Sequence, residues 1–114
     1  MVNIEVSKTF LKSAKKLKKK YPSLGSDILN LQEQFKDNPE LGVSLGGKLR
    51  KVKLAIKSKG AGKRSGARII SYHELIITQE EEHRIILLNI YDKSEKENVT
   101  LEEIESWLQD NGLL

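Results

Sequence analysis

The sequence predicts an α+β fold in which an antiparallel sheet packs against an N-terminal helical hairpin, in the order βααβββα. Three observations predict it: two amphipathic helical stretches meet at Pro22, three apolar runs with strand character follow them, and a capped amphipathic stretch closes the chain. The chain has 114 residues without an internal repeat or long linker, so we expect one domain, residues 1–114.

The N-terminal elements follow from the spacing of apolar residues. Apolar and polar residues alternate across residues 2–6, which is the period of a half-buried strand. Ser7 is placed to cap a first helix whose apolar positions recur at helical spacing and whose other positions are rich in lysine. Pro22 ends that helix, and a second apolar stripe runs over residues 24–35. The pair should pack its stripes on a sheet.

The remaining elements follow from apolar runs and a capping pattern. Residues 49–56, 67–78 and 84–91 are rich in Ile, Leu and Val and predict strands. The acidic segment 79–83 is short, so the last two strands should form an antiparallel hairpin. Thr100-Leu-Glu-Glu103 is a capping-box pattern that opens a final helix, and Gly112 is placed to end it.

Positive charge is concentrated in the predicted sheet. Nine Lys and Arg residues, and no Asp or Glu, lie between Leu41 and His73. Residues 1–73 contain 17 basic and 5 acidic side chains, whereas residues 74–114 contain 3 basic and 11 acidic ones. A basic sheet surface attracts a phosphate backbone. The division predicts a protein that binds a polyanion on one side only.

Several function classes are excluded or disfavoured by composition. The chain has no cysteine, which excludes disulfides and thiolate chemistry. No segment approaches about 20 consecutive apolar residues, and the N-terminus lacks the apolar core of a secretory signal. We therefore expect a cytoplasmic protein with no membrane partner. The two histidines, His73 and His83, do not have metal-ligand spacing, so we expect no metal and no cofactor.

The glycine-containing segment Lys59–Gly66 is the first candidate for phosphate contact. Its glycine spacing does not fit Gly-x-x-x-x-Gly-Lys-Ser/Thr, and no parallel βαβ pattern surrounds it. Lys63 and Arg64 within it are expected either to bind nucleic-acid phosphates or to keep a hairpin loop solvated. The lysines of the first helix likewise either bind a polyanion or an acidic partner, or form a solvated face.

Arg68 is the strongest single candidate. Its apolar neighbours predict that it extends from a rigid strand, where the planar guanidinium can hold a phosphate in a fixed direction. The alternative is an exposed arginine paired with Glu74. His73 is a candidate acid or base, with a structural role as the alternative. Lys93 and Lys96 follow the last strand and are either functional cations or turn residues paired with nearby carboxylates.

Two segments of the predicted sheet carry a family resemblance. They are Gly66-Ala-Arg-Ile-Ile-Ser-Tyr72 and Ile86-Leu-Leu-Asn-Ile-Tyr-Asp-Lys-Ser-Glu-Lys-Glu-Asn98. Together they resemble the RelE/ParE toxin superfamily, specifically its HigB-like branch, and the resemblance extends from Lys8 to Trp107. It implies a toxin of a type II toxin–antitoxin system. Such a toxin is a metal-independent, ribosome-dependent endonuclease that cleaves messenger RNA in the A site, inhibits translation and is silenced by a cognate antitoxin.

The resemblance also implies roles for individual residues. Arg68 corresponds to the arginine that holds the scissile phosphate, and Lys93 and Lys96 fall where the family has a basic residue that assists the transition state or the leaving group. The basic residues that match RNA-binding positions of the preceding strand are Lys51, Lys53 and Lys57. RelE itself has a tyrosine just beyond the last basic motif, and residues 97–100 contain none. The general base is therefore open, with a lysine, His73 or a ribosomal group as candidates.

Two other functions fit the same sequence. A ParE-like member would share the architecture but inhibit DNA gyrase. A non-catalytic RNA-binding module would use the basic sheet alone, with binding that weakens as salt rises. For the toxin, the expected partners are the ribosome with its messenger RNA and an antitoxin whose acidic or apolar segments cover either the basic sheet or the helical hairpin.

Overall fold

A computed structural model of the chain describes residues 1–60 and 65–114. These residues form five strands, three α-helices and one 3-10 turn. The strands are β1 (Val2–Val6), β2 (Val43–Gly46), β3 (Leu49–Leu54), β4 (Ala67–Ile77) and β5 (Glu81–Asp92). The helices are α1 (Lys8–Lys20), α2 (Leu24–Asp37) and α3 (Leu101–Asp110), and the 3-10 turn is η1 (Lys57–Lys59).

The α+β class is confirmed, but the predicted element order βααβββα lacks one strand, and the sheet is mixed where an antiparallel sheet was predicted. The strands lie in the order β1-β5-β4-β3-β2, and β1 runs parallel to β5. A parallel pair needs a long connection, which the helical hairpin and the central strands supply. Alternation over residues 2–6 predicts a strand but carries no information about its partner, because the partner lies about 80 residues away in sequence.

The additional strand is β2, which the sequence analysis missed. It has four residues, and three of them pair with β3: Val43 with Lys51, Ser44 with Arg50 and, after a register shift, Gly46 with Leu49. Such a short segment next to glycines has no strand signal of its own. Its conformation comes from hydrogen bonding to β3 and from Leu45, which packs against the buried cluster beneath α3.

The sheet has a buried cluster on each side. We call the side covered by the helical hairpin the α1–α2 face and the side covered by the last helix the α3 face. The largest members of the α1–α2 cluster include Phe10, Leu24, Leu31, Phe35, Ile69, Ile85 and Leu87. The α3 cluster contains Ile70, Leu88, Tyr91, Ile104 and Leu108. Burial of each such aliphatic or aromatic side chain stabilises the fold by about 1.5 to 3 kcal/mol.

The helix starts predicted at Ser7 and Thr100 are confirmed in detail. The Ser7 hydroxyl accepts a hydrogen bond from the Phe10 N–H at 3.0 Å. Thr100 and Glu103 form the predicted capping box. Ser23 occupies the position before α2 but does not cap it; its hydroxyl instead donates to Asp27 at 2.7 Å.

The end of β5 is fixed by a buried carboxylate. The Asp92 side chain is fully buried and accepts hydrogen bonds from Tyr21 Oη at 2.5 Å, Lys59 Nζ at 2.9 Å and Ser94 Oγ at 2.7 Å. Burial alone would raise the pKa of Asp92, but the donors Lys59, Tyr21 and Ser94 lower it by more, so its pKa lies well below the usual range. We call this cluster the Asp92 junction. It ties α1 and η1 to the turn after β5.

Replacing the carboxylate of the Asp92 junction should destabilise the fold. We expect Asp92→Asn to lower the free energy of unfolding by about 2 kcal/mol, because Lys59 loses a charged acceptor. Since the pKa of Asp92 is lowered in the fold, its contribution is complete above about pH 3.9 and decreases as pH falls toward the folded value. Urea unfolding at pH 7 measures the effect of Asp92→Asn on the free energy of unfolding. The same measurement at pH 3 shows how much of the contribution of Asp92 is lost in acid. The exposed Asp110→Asn is the control; equal effects of the two substitutions would contradict the junction.

Candidate nucleic-acid interface

Strand pairing brings three polar residues into one row across the sheet. Lys53 lies opposite Arg68, and Arg68 lies opposite Tyr91. Strand side chains alternate between faces, and the sequence neighbours of the three belong to the α1–α2 cluster. Those neighbours are Val52, Leu54, Ala67, Ile69 and Ile90. The three residues, which we call the basic row, therefore lie on the α3 face.

Arg68 is at the centre of the basic row but is not on an open surface. Only 3% of the residue is exposed, and its Nη1 donates to the Ala67 carbonyl at 3.0 Å. The alternative pairing with Glu74 is not formed: Glu74 accepts from Arg84 at 2.8 Å and lies 3.5 Å from the Lys48 ammonium. The guanidinium is thus a buried positive charge within the sheet. Its field is screened less by water than that of a surface lysine.

The lysines predicted to bind RNA separate into three groups. Lys53 is exposed in the basic row, and Lys51 is half-buried on the same face, because it pairs with Ile70 of the α3 cluster. Lys57 lies beyond the strand in η1, where its N–H donates to Asp27 at 3.2 Å, outside the basic row. Two more predicted contacts, Lys63 and Arg64, lie outside the described residues.

Lys93 and Lys96 differ in their surroundings. The Lys93 N–H donates to the Gly66 carbonyl at 3.1 Å, so the β4–β5 ladder continues by one residue. Lys93 is the first residue of the turn after β5 and is half-buried, and no carboxylate of the described residues pairs with its ammonium. The Lys96 ammonium, in contrast, lies 2.7 Å from Glu103, whose pKa it lowers. Lys96 thus has the ion pair of a turn residue, whereas Lys93 is available to a ligand.

Gly66 explains how Lys93 and Arg68 come to be held at the same end of the sheet. A side chain at this position would collide with the carbonyl oxygen of Leu54. Only glycine allows the backbone before β4 to approach the end of β3 so closely. Backbone contacts of Gly66 with Leu54 and Lys93 therefore fix the start of β4, just before Arg68, beside the first residue of the turn after β5.

Tyr91 is the functional candidate that the sequence analysis missed. Its hydroxyl is the buried side-chain oxygen without a hydrogen-bond partner among residues 1–60 and 65–114. Burial raises the pKa of Tyr91; the Arg68 charge acts to lower it and the Glu103 charge to raise it further. The phenol is therefore neutral at pH 7 and can donate a proton. Tyr91 lies within the second segment that carries the family resemblance. The side of the sheet on which it lies, however, depends on the strand register, which the sequence does not give.

The histidines lie on the other side of the sheet. Five positions separate His73 from Arg68 on the same strand, so the two residues face opposite sides. His73 Nε2 is 3.1 Å from His83 Nδ1, and burial, followed by the charges of His83 and Arg50, lowers the pKa of His73. The structure therefore removes His73 from the candidates for a base beside Arg68.

Comparison with models of protein families gives no match for this chain. Within residues 1–60 and 65–114, no three His, Asp or Glu side chains are grouped so that they could hold a metal ion. No helix in the same residues is long and apolar enough to cross a membrane.

Removing the Tyr91 hydroxyl should not destabilise the fold. We expect Tyr91→Phe to raise the free energy of unfolding by about 1 kcal/mol, because a buried polar group without a partner is removed. Tyr21→Phe is the matched control and should lower it by about 1 kcal/mol, since Tyr21 donates to Asp92. Thermal denaturation measures both. A destabilised Tyr91→Phe would mean that the phenol makes a stabilising contact.

Proposed function

We propose that the protein is a toxin of a type II toxin–antitoxin system that cleaves messenger RNA in the A site of the translating ribosome. The observation that carries this proposal is the basic row with the adjacent Lys93, which combines an exposed lysine, a buried guanidinium and an unpartnered phenol on one face. The RelE/ParE resemblance of the two sheet motifs supports the same function.

The proposed reaction uses the nucleophile that RNA itself carries. The 2′-hydroxyl oxygen attacks the adjacent phosphorus, the bond from phosphorus to the 5′-oxygen breaks, and a 2′,3′-cyclic phosphate and a 5′-hydroxyl result. One proton leaves the 2′-hydroxyl and one is delivered to the 5′-oxygen. Such a transesterification requires positioned cations for the phosphate oxygens and a proton donor, and it does not require a metal.

Each member of the site has a role that suits its environment. Lys93 and Lys53 are accessible to the phosphate, and Arg68 adds charge from within the sheet, where screening by water is weak. Lys93, in the turn after β5, is the proton donor to the 5′-oxygen, because the Tyr91 hydroxyl is buried and does not contact a ligand on this face. The base that takes the 2′-hydroxyl proton is a lysine of this face or a ribosomal group.

The limited aromatic surface of the α3 face supports dependence on the ribosome. A protein that binds single-stranded RNA alone commonly stacks bases on aromatic side chains. Tyr72, a candidate platform on this face, is half-buried and has the Lys48 ammonium 5.6 Å from its ring centre. The ribosome would instead align the transcript. We further propose a cytoplasmic location, and an antitoxin that neutralises the basic surface.

The α3-face lysines should contribute phosphate contacts that depend on salt. We expect the double variant Lys51→Ala and Lys53→Ala to reduce the slope of log affinity against log salt for single-stranded RNA by about 1.4. Filter binding over a salt series measures it. The control removes two exposed α1 lysines, Lys12→Ala and Lys15→Ala. If both doubles reduce the slope equally, binding follows net charge and not the α3 face.

Cleavage should require the residues at the centre of the face. In a translating extract, we expect primer extension to show stops within A-site codons that disappear when ribosomes are removed. Lys93→Ala and Arg68→Gln should each weaken the stops on the order of 100-fold, because each removes a positive charge from the site. Lys19→Ala, an exposed change on α1, should leave them unchanged. Arg68→Lys keeps the buried charge and is the matched variant that should retain most of the stops.

Four results would overturn the proposed reaction. Full cleavage by both Lys93→Ala and Arg68→Gln would remove the site, and circular dichroism would exclude misfolding as the cause of any loss. Stops without ribosomes would contradict ribosome dependence. Loss of supercoiling activity by purified gyrase, without RNA stops, would favour the ParE-like function; salt-dependent RNA binding without stops or gyrase inhibition would favour the RNA-binding module.

A further inference from the structure

Strand β4 extends beyond its neighbour β3. The β3–β4 pairing ends at Leu49 with Tyr72, whereas β4 continues to Ile77. The His73 N–H donates to the Lys48 carbonyl at 2.8 Å, so the odd-numbered residues direct their backbone groups toward the β3 side. No strand of the described chain pairs with β4 on that side beyond His73. Residues 74–77, which we call the open edge, therefore present unpaired backbone groups.

The side chains of the open edge are apolar and exposed. Leu75, Ile76 and Ile77 are 50%, 42% and 73% exposed. Natural sheets usually protect such an edge with proline, lysine, a bulge or a covering loop, because an unprotected edge pairs with other strands. Three consecutive exposed aliphatic residues next to unpaired backbone groups indicate a surface that another strand covers.

A cavity of about 240 Å³ lies beside the open edge on the α1–α2 face. It is lined by Glu40, Gly47, Lys48, Arg50, His73, Leu75 and His83. The imidazoles of His73 and His83 contact each other, and burial lowers the pKa of His73, which keeps that ring uncharged at neutral pH. Most of the lining is polar or charged, and Leu75 supplies the aliphatic wall against which a side chain of a strand added to the edge can pack.

Charge at the two ends of the open edge is complementary. The turn at its distal end contains the acidic run Glu80, Glu81 and Glu82. Its proximal end is next to Lys48, whose ammonium lies 3.5 Å from Glu74 and whose side chain is 56% exposed, so that a second carboxylate can also reach it. When the open edges of two copies of the chain are placed antiparallel to each other, the acidic turn of each copy lies next to Lys48 of the other. Opposite charges then meet at both ends.

We propose that the open edge pairs antiparallel with the open edge of a second copy of this chain, so that Ile77 of each copy packs against Leu75 of the other. The contact is two-fold symmetric and self-complementary, as isologous interfaces are. Arg68 lies at the opposite end of β4, so the basic row stays accessible in the dimer. This inference does not depend on the proposed function.

The dimer is testable by sedimentation velocity on the purified protein over a concentration series. We expect the wild type to associate and Ile77→Lys to sediment as a monomer. Leu101→Lys, at a residue 64% exposed on α3, is the matched control and should leave the dimer intact. Ile77 is 73% exposed, so the variant should fold, and circular dichroism checks this.

Charge reversal provides a second, independent test. Lys48→Glu should weaken association by about tenfold or more, because like charges then meet at both ends. Adding Glu80→Lys and Glu81→Lys to Lys48→Glu should restore it. A wild type that remains monomeric at about 200 μM, a dimer insensitive to Ile77→Lys, or a triple variant without restored association would each overturn the proposal. A monomer that instead binds an extended peptide of another protein at this edge would also overturn it.

Discussion

Strand β4 has to be compatible with two buried layers at once, and the rest of the structure depends on that constraint. It lies between β3 and β5, with α1 and α2 on one side of the sheet and α3 on the other. Alternate residues such as Ile69 and Ile70 therefore pack into different clusters, although they are neighbours in the sequence. The same alternation directs Arg68 to the α3 face and His73 to the α1–α2 face. One register shift in β4 would exchange the two sets.

The candidate site combines stability and reactivity in adjacent residues. Asp92 has all the donors that a buried carboxylate needs and contributes to folding, whereas the preceding residue, Tyr91, has a buried hydroxyl without a partner. Unsatisfied buried groups cost free energy and are tolerated where a function requires them. The contrast between these two neighbours supports the proposal of a functional surface on the α3 face.

Charge separates the molecule into regions with different possible partners. The α3 face presents lysines around a buried guanidinium, α1 presents a lysine-rich surface, and the β4–β5 turn is acidic. A polyanion and a second copy of the chain would therefore approach different parts of β4, one near Arg68 and the other near Ile77. This separation allows an RNA-binding face and a dimer contact to coexist on one small sheet.

The sequence by itself determined the α+β class, both helices of the hairpin, the capping box of α3 and the cationic character of the sheet, because these depend on local periodicity, capping residues and composition. It also indicated Arg68 and Lys93 through their motifs. Only the tertiary structure decided the parallel placement of β1, the existence of β2, the burial of Arg68, the ion pair of Lys96 and the position of Tyr91. These depend on strand register and on contacts between residues far apart in sequence, which no local pattern encodes.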